Sequence, residues 1–127
     1  MKREKILPTV ALVLVSASLM AFANRAAQQQ NNTPLSFTGE IMDSACASLG
    51  SHDQMMKKEG IKTAKDCTLQ CVKDGSKLVL YAPFNKTAYQ LDDQDKSTEF
   101  AGEKVMIIGT YDGSTKTIHI QSIQTVP

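Results

Sequence analysis

Apolar and polar residues alternate in five short stretches between residues 36 and 123, and this period of two predicts β-strands with one buried face. The predicted strands cover residues 36–42, 77–82, 87–91, 104–110 and 117–123. The fourth, KVMIIGT, is the most apolar of them and is expected to lie centrally in the sheet. In the fifth, Ile118 and Ile120 are predicted to face inward and His119 to face solvent.

Turn signals and a short helical pattern fill the intervals after the second strand. Residues 83–86 predict a hairpin loop, and Asp112-Gly113 predicts a turn. Residues 92–101 predict a helical connection that ends near Gly102. Five strands with a helical link between the third and fourth follow the order of an OB-fold barrel. The sequence therefore predicts a mainly β, α+β fold with a small five-stranded OB-like barrel; a small sandwich or an open meander is the alternative.

One long insertion, residues 43–76, separates the first two predicted strands. It contains all three cysteines of the chain and one of its two histidines. Helices are predicted near residues 51–59 and 63–73. We therefore expect residues 36–127 to form one OB-like domain, with any chemistry of the chain in the helical insertion.

The N-terminal residues have the composition of a secretory signal peptide. Three basic residues among the first five precede an apolar run over residues 6–20, and Ala21-Phe22-Ala23 supplies small residues for cleavage. A membrane-spanning helix needs about 20 apolar residues, which disfavours an anchor. We predict a signal peptide over residues 1–23 and a flexible linker over residues 24–35. The location is then periplasmic or extracellular, with membrane contact only during export.

The charges nearly cancel. The chain has 14 Lys and Arg residues against 13 Asp and Glu residues, and without residues 1–23 the net charge is −1. Such a balance does not favour a nucleic-acid partner or an anionic membrane surface. A chain of this size supports one small core, for which a cross-link or a metal adds useful stability. We expect a monomer that binds a protein or a small ligand, whose identity the sequence does not give.

The cysteine spacing permits a disulfide that fastens the insertion. Cys67 and Cys71 are four residues apart on a predicted helix, which sets their Cβ atoms about 5–6 Å apart. A disulfide needs about 3.8 Å between Cβ atoms, so a bridge from Cys46 to either of them is easier to form. Such a bridge closes a loop of about 20–25 residues and stabilises the fold by roughly 3 kcal/mol. One cysteine is left as a free thiol.

His52 permits a metal site instead. Cys46-x5-His52 and Cys67-x3-Cys71 supply four soft ligands, the number that a tetrahedral structural zinc takes. An oxidising compartment favours the disulfide over thiolate ligation. The insertion is therefore predicted to be fastened either by a disulfide or by a Cys3His metal site.

Residues near the cysteines bear on the metal and its surroundings. Met55 and Met56 offer thioethers, which suit copper as Cu(I) as well as zinc, although filling gaps in the core is their commoner role. Asp43 is expected to cap the turn into the insertion, with metal ligation as the alternative. Possible cofactors are therefore zinc or copper.

Four segments of the chain resemble an uncharacterised family of small secreted bacterial proteins. They are G-E-I-M-D-S-A-C-A, G-S-H, D-C-T-L-Q-C-V-K-D-G and A-G-E-K-V, and the resemblance extends over residues 37–123. It implies a signal peptide and an OB-like β domain with a Cys/His-containing insertion. Cys46, His52, Cys67 and Cys71 match the family's pattern. The resemblance implies no activity.

Three classes of function follow. The first is an exported, non-enzymatic binding or structural module, including a periplasmic protein that binds zinc or copper. The second is a thiol-based enzyme, for which only Cys46 and His52 lie close enough in sequence to pair a nucleophile with a base. No C-x-x-C redox motif supports it.

The third class is oligonucleotide or oligosaccharide binding. It needs aromatic stacking surfaces beside basic groups. The residues that supply these groups on the second and third predicted strands are Tyr81, Tyr89, Lys77 and Lys86. The same aromatic side chains fit core packing, and a net charge of −1 disfavours nucleic acid.

Overall fold

The computed structural model of the protein describes residues 32–127; the predicted signal peptide and most of the predicted linker lie outside the described residues. The helices and strands of the described chain, in order, are β1 (Leu35–Asp43), α1 (Ser44–Leu49), α2 (Asp53–Glu59), α3 (Ala64–Lys73), β2 (Leu78–Ala82), β3 (Thr87–Leu91), α4 (Gln94–Thr98), β4 (Lys104–Asp112) and β5 (Thr117–Thr125). All five predicted strands are confirmed, and β3 has the predicted bounds.

The five strands form one mixed sheet in the order β1-β2-β3-β5-β4. Because β1 pairs with both β2 and β4, this order closes on itself. Neighbouring strands are antiparallel except β3 and β5, which run parallel where Leu91 pairs with Ile118. The fold is therefore α+β and mostly β, as the strand pattern predicts.

The two faces of β1 and β2 contribute to two different cores. Ile41 pairs with Leu80, and both belong to the first core, which draws buried side chains from all five strands. Its fully or nearly fully buried members are Ile41, Leu78, Leu80, Leu91, Val105, Ile107 and Ile118. Met42 pairs with Val79 on the opposite face, which the insertion covers. A period of two thus places one apolar set inside the closed sheet and another beneath the helices.

The second core joins the sheet to the insertion. Its buried members are Met42, Cys46, Ala47, Cys67, Cys71 and Val79. The cysteines come from α1 and α3, whereas Met42 and Val79 come from β1 and β2. Every cysteine of the chain therefore lies where the insertion meets the outer face of the sheet.

The insertion contains three helices rather than the two predicted. The additional one, α1, begins directly after Asp43, whose carboxylate accepts the backbone N–H of Cys46 at 2.9 Å. It ends at Gly50, which has a φ of 74°. A helix of six residues is too short for an apolar period to reveal, and its cap determines where it forms. The predicted capping role of Asp43 is confirmed.

The connection between β3 and β4 attaches to the start of β2. The Asp93 carboxylate caps α4 by accepting the N–H of Lys96 at 2.9 Å. The Gln94 side chain accepts from the backbone N–H of Leu78 at 2.8 Å and donates to its carbonyl at 2.9 Å. The predicted helical link is thus confirmed, and its first residue fixes the point at which the chain leaves the insertion.

Candidate metal centre

Cys46, His52, Cys67 and Cys71, here called the Cys/His cluster, all lie between the insertion and the sheet. Cys46 and Cys67 are fully buried, and Cys71 and His52 are 6% and 7% exposed. They are enclosed by β1 and β2 on one side and by α1 and α3 on the other. Strand β1 leads directly into α1, and α3 packs against β1. Cys46, His52 and Cys67 come together as the sequence predicts, whereas Cys71 groups with Asp43 and Cys46 rather than with His52. They could form a metal-binding cluster.

Cys46 and Cys67 are the closest pair of thiols. Their Sγ atoms are 3.9 Å apart, and all three cysteines are free. A disulfide has an S–S length of about 2.05 Å. Two thiolates on one tetrahedral zinc lie about 3.8 Å apart, given a Zn–S length of about 2.3 Å. The separation of the two sulfurs therefore fits shared ligation without rearrangement, and a disulfide requires the sulfurs to approach each other.

His52 is held by a carboxylate that the sequence analysis did not identify. Its Nε2 lies 2.8 Å from Oε1 of Glu40 on β1, and its Nδ1 is buried without a hydrogen-bond partner. A carboxylate only accepts, so Nε2 donates and neutral imidazole keeps a lone pair on Nδ1. Metal-bound histidines are oriented by carboxylates in this way. A ligand atom of His52 lies within 4.8 Å of both the Cys46 and the Cys67 sulfurs.

Asp43 adds a second carboxylate to the site. Its side chain is fully buried, and Oδ1 accepts the cap hydrogen bond from Cys46. Its Oδ2 has no hydrogen-bond partner. One of its oxygens lies within 4.8 Å of the Cys46 and Cys71 sulfurs. Cys71 thus groups with Asp43 and Cys46, whereas Cys67 groups with Cys46 and His52.

The surroundings keep the thiols of Cys46 and Cys71 protonated in the metal-free protein. Burial raises the pKa of Cys71 to about 11, and the negative charge of Asp43 adds to the effect. Burial, followed by the hydrogen bond and charge of Asp43, raises the pKa of Cys46 further. A nucleophilic cysteine needs the opposite shift. These thiols become good ligands only when a cation replaces their protons.

A cavity of about 350 Å³ opens beside the cluster between α2 and α3. Its walls are formed by Met55, Lys58, Glu59, Ile61, Cys67, Gln70, Cys71 and Asp74. Both cysteines of α3 therefore face a space that is large enough to admit a hydrated ion. Met55 and Met56 are half-buried against the second core, the packing role expected for them, and Met55 also lines the cavity.

The four residues predicted to bind an oligomer do not meet on one surface. Tyr81 packs into the second core, whereas Tyr89 packs against the first core beside Phe37, with ring centroids 5.6 Å apart. The two tyrosines therefore lie on opposite faces of the sheet. Lys77 is exposed before β2, and Lys86 is exposed in the β2–β3 turn.

His119 is exposed on β5, as predicted, and its Nδ1 lies 3.1 Å from Asp92 Oδ2. This contact resembles that of His52 with Glu40, but it lies at the protein surface and away from the cysteines. Of the residues that make up the site, sequence reasoning missed Glu40. The only feature of the sequence that points to Glu40 is that an acidic residue occupies an outward position of the strand that leads into the insertion.

Comparisons with known proteins add no relative. A scan against protein-family models, a search of curated proteins and a search of solved structures each find no match to this chain. Within residues 32–127, none of the helices has the length and apolar content needed to span a bilayer.

Proposed function

We propose that the protein is an exported, non-enzymatic module whose insertion is fastened to an OB-fold barrel by a metal ion, zinc or copper. Export by residues 1–23, a monomeric state and membership of the small secreted family belong to the same proposal. The strand order β1-β2-β3-β5-β4, with α4 between β3 and β4, supports the OB-fold. The function of such a module is to present a stable surface to a protein or small ligand.

One observation carries the metal assignment. Ligand atoms of Cys46, His52 and Cys67 lie within 4.8 Å of one another, all three side chains are buried, and the free nitrogen of His52 has no other partner. Soft sulfur and nitrogen donors at this spacing suit zinc or Cu(I). The Glu40 carboxylate behind His52 supplies the outer partner that ligating histidines have.

The expected effect of the metal is on stability. The ligands come from α1, from the start of α2 and from α3, so a bound ion joins three short helices that cannot form alone. A ligand that binds only the folded state at 1,000 times its Kd stabilises that state by about 4 kcal/mol. This amount is a substantial part of the free energy of unfolding of a small domain.

Metal analysis of protein purified from its exported compartment without chelators tests the proposal. We expect at least one zinc or copper ion per chain, and one ion fewer in His52→Gln and in Cys67→Ser. His119→Gln is the matched control, because it removes the other histidine and its carboxylate contact from the exposed face. Equal metal content in His52→Gln and His119→Gln would contradict the assignment.

A disulfide between Cys46 and Cys67, the closest pair of thiols, is the competing way to fasten the insertion, and it requires their sulfurs to approach from 3.9 Å. It predicts a metal-free protein whose mass is lower by two hydrogen atoms, with Cys71 as the one thiol that reacts after unfolding. Intact-mass measurement before and after reduction separates the two possibilities. A metal-free, oxidised chain would establish the disulfide in place of the metal.

A further inference from the structure

The helix cap uses only one oxygen of Asp43, so the second oxygen and the negative charge of this side chain are not explained by capping. One oxygen, Oδ1, accepts the Cys46 N–H, whereas Oδ2 is buried and has no hydrogen-bond partner. Asn and Ser cap helices about as well as Asp and carry no charge. Burying a carboxylate with one oxygen unsatisfied costs free energy unless a cation or donor approaches it. The unpartnered oxygen is therefore available to a cation beside Asp43, in place of the protonated thiols that face this carboxylate in the metal-free protein.

Two thiols lie next to this carboxylate. An oxygen of Asp43 and the sulfurs of Cys46 and Cys71 are within 4.8 Å of one another, and all three residues are buried. This triad shares only Cys46 with the triad of Cys46, His52 and Cys67. Cys67 and Cys71 are one turn apart, about 6 Å along the axis of α3, so Cys67 groups with His52 and Cys71 with Asp43, while both lie near Cys46.

The charges of the buried ligands are compatible with a second divalent ion. When metal fills both triads, every ligand is ionised, and the buried set carries four negative charges on Asp43, Cys46, Cys67 and Cys71. One divalent ion on Cys46, His52 and Cys67 is balanced by two thiolates and leaves the charge of the buried Asp43 carboxylate uncompensated. Two divalent ions bring the buried charge to zero.

We propose that Asp43, Cys46 and Cys71 form a second subsite for a divalent cation of the zinc type, with the Cys46 thiolate bridging the two ions. This inference rests on the proposed function, since it adds a second ion to the first. A carboxylate ligand selects a divalent ion such as zinc over Cu(I), which prefers sulfur alone. The cavity lined by Cys71 supplies water as a further ligand to the second ion.

Zinc stoichiometry tests the second subsite. The full chain, reduced and metal-free, is dialysed against buffered zinc, and bound zinc is measured per chain by elemental analysis. We expect two zinc ions for the natural sequence and one for Asp43→Asn. The Asn side chain keeps the helix cap while removing the anionic ligand. Asp93→Asn is the matched control, because Asp93 caps α4 through a hydrogen bond of the same 2.9 Å length, and it should retain two ions.

The Cys71→Ser variant provides an independent measurement should Asp43→Asn fail to fold. It is also expected to bind one zinc ion, because it removes a ligand of the second subsite alone. One ion in the natural sequence, unchanged in both variants, would overturn the second subsite and leave the first intact. Two ions retained in Asp43→Asn or in Cys71→Ser would likewise overturn it. No zinc bound by the natural sequence, under conditions where it is folded, would overturn the second subsite, and failure to bind Cu(I) as well would overturn the metal assignment as a whole.

Discussion

Replacing Glu40 with Gln tests whether His52 acts as a ligand oriented by a carboxylate. Glu40 Oε1 lies 2.8 Å from His52 Nε2, and the two side chains are 26% and 7% exposed. Gln has the same size, and its amide oxygen can still accept from Nε2. The substitution therefore removes the charge of the partner while leaving a hydrogen bond in place.

The expected loss follows from the role of the carboxylate. Removing the outer partner of a metal-bound histidine lowers metal affinity by about 10–100-fold. Glu40 is one quarter exposed, so solvent screens part of its charge, and Gln retains the hydrogen bond. We therefore expect the low end of this range, about tenfold in Kd, or about 1.4 kcal/mol of binding free energy.

A competition titration against a chromophoric chelator, at fixed pH and ionic strength, measures this change. Asp92→Asn is the matched control, because Asp92 contacts His119 in the corresponding way at 3.1 Å on the exposed face. Its Kd for the metal should equal that of the natural sequence. In a His52→Gln background the Glu40 substitution should have no further effect, since the two residues act through one contact.

Two results would refute this reasoning. If Glu40→Gln binds metal as tightly as the natural sequence, the carboxylate does not orient a ligand. If the Glu40 effect is the same with and without His52, the charge of Glu40 acts on the site from a distance and not through the imidazole.

Three other predictions concern stability. Leu80→Ala should lower the free energy of unfolding by about 2–5 kcal/mol in urea titrations with and without metal, because Leu80 is fully buried in the first core; a loss seen only with metal would place Leu80 in the site instead. Asp93→Ala should cost about 1 kcal/mol by removing the α4 cap, and an equal cost in Asp93→Asn would show that the cap is not the reason. The metal-free, reduced protein should lose stability as pH rises from 9.0 to about 11, because the raised pKa of Cys71 makes the unfolded chain lose its proton first. Cys71→Ser should make that pH dependence shallower, and an unchanged slope would contradict the assignment.

Much of the sheet could be predicted because each strand has an apolar face of period two. Strands β4 and β5 extend two residues further than predicted, since pairs such as Asp112 with Thr117 and Val105 with Thr125 continue the ladder. Those residues carry no apolar alternation, so their conformation depends on the partner strand. Helix α1 was not predicted because it also lacks an apolar period: only the Asp43 cap at its start and Gly50 at its end define it.

The site could be predicted in its residues but not in its arrangement. Residue type alone, cysteine or histidine in the insertion, was enough to select Cys46, His52 and Cys67 as candidate ligands. The role of Glu40 depends on its being opposite the insertion on β1, which no spacing of twelve residues reveals. The four-residue spacing places Cys71 on the same face of α3 as Cys67. Cys71 nevertheless lies beside Asp43, because α3 packs against β1, which ends at Asp43. Such placements come from packing between elements and not from local pattern.

The buried residues of the insertion favour metal over a disulfide as its fastening. Those in residues 43–76, all of which the structure describes, are Asp43, Cys46, Ala47, His52, Cys67, Thr68 and Cys71. None is a large aliphatic or aromatic side chain, so the insertion has little apolar burial of its own to hold it. A Cys46–Cys67 disulfide uses two of them and leaves His52 Nδ1 and Asp43 Oδ2 buried without partners. Cations bound at the two proposed subsites would instead give partners to the imidazole, the carboxylate and all three thiols.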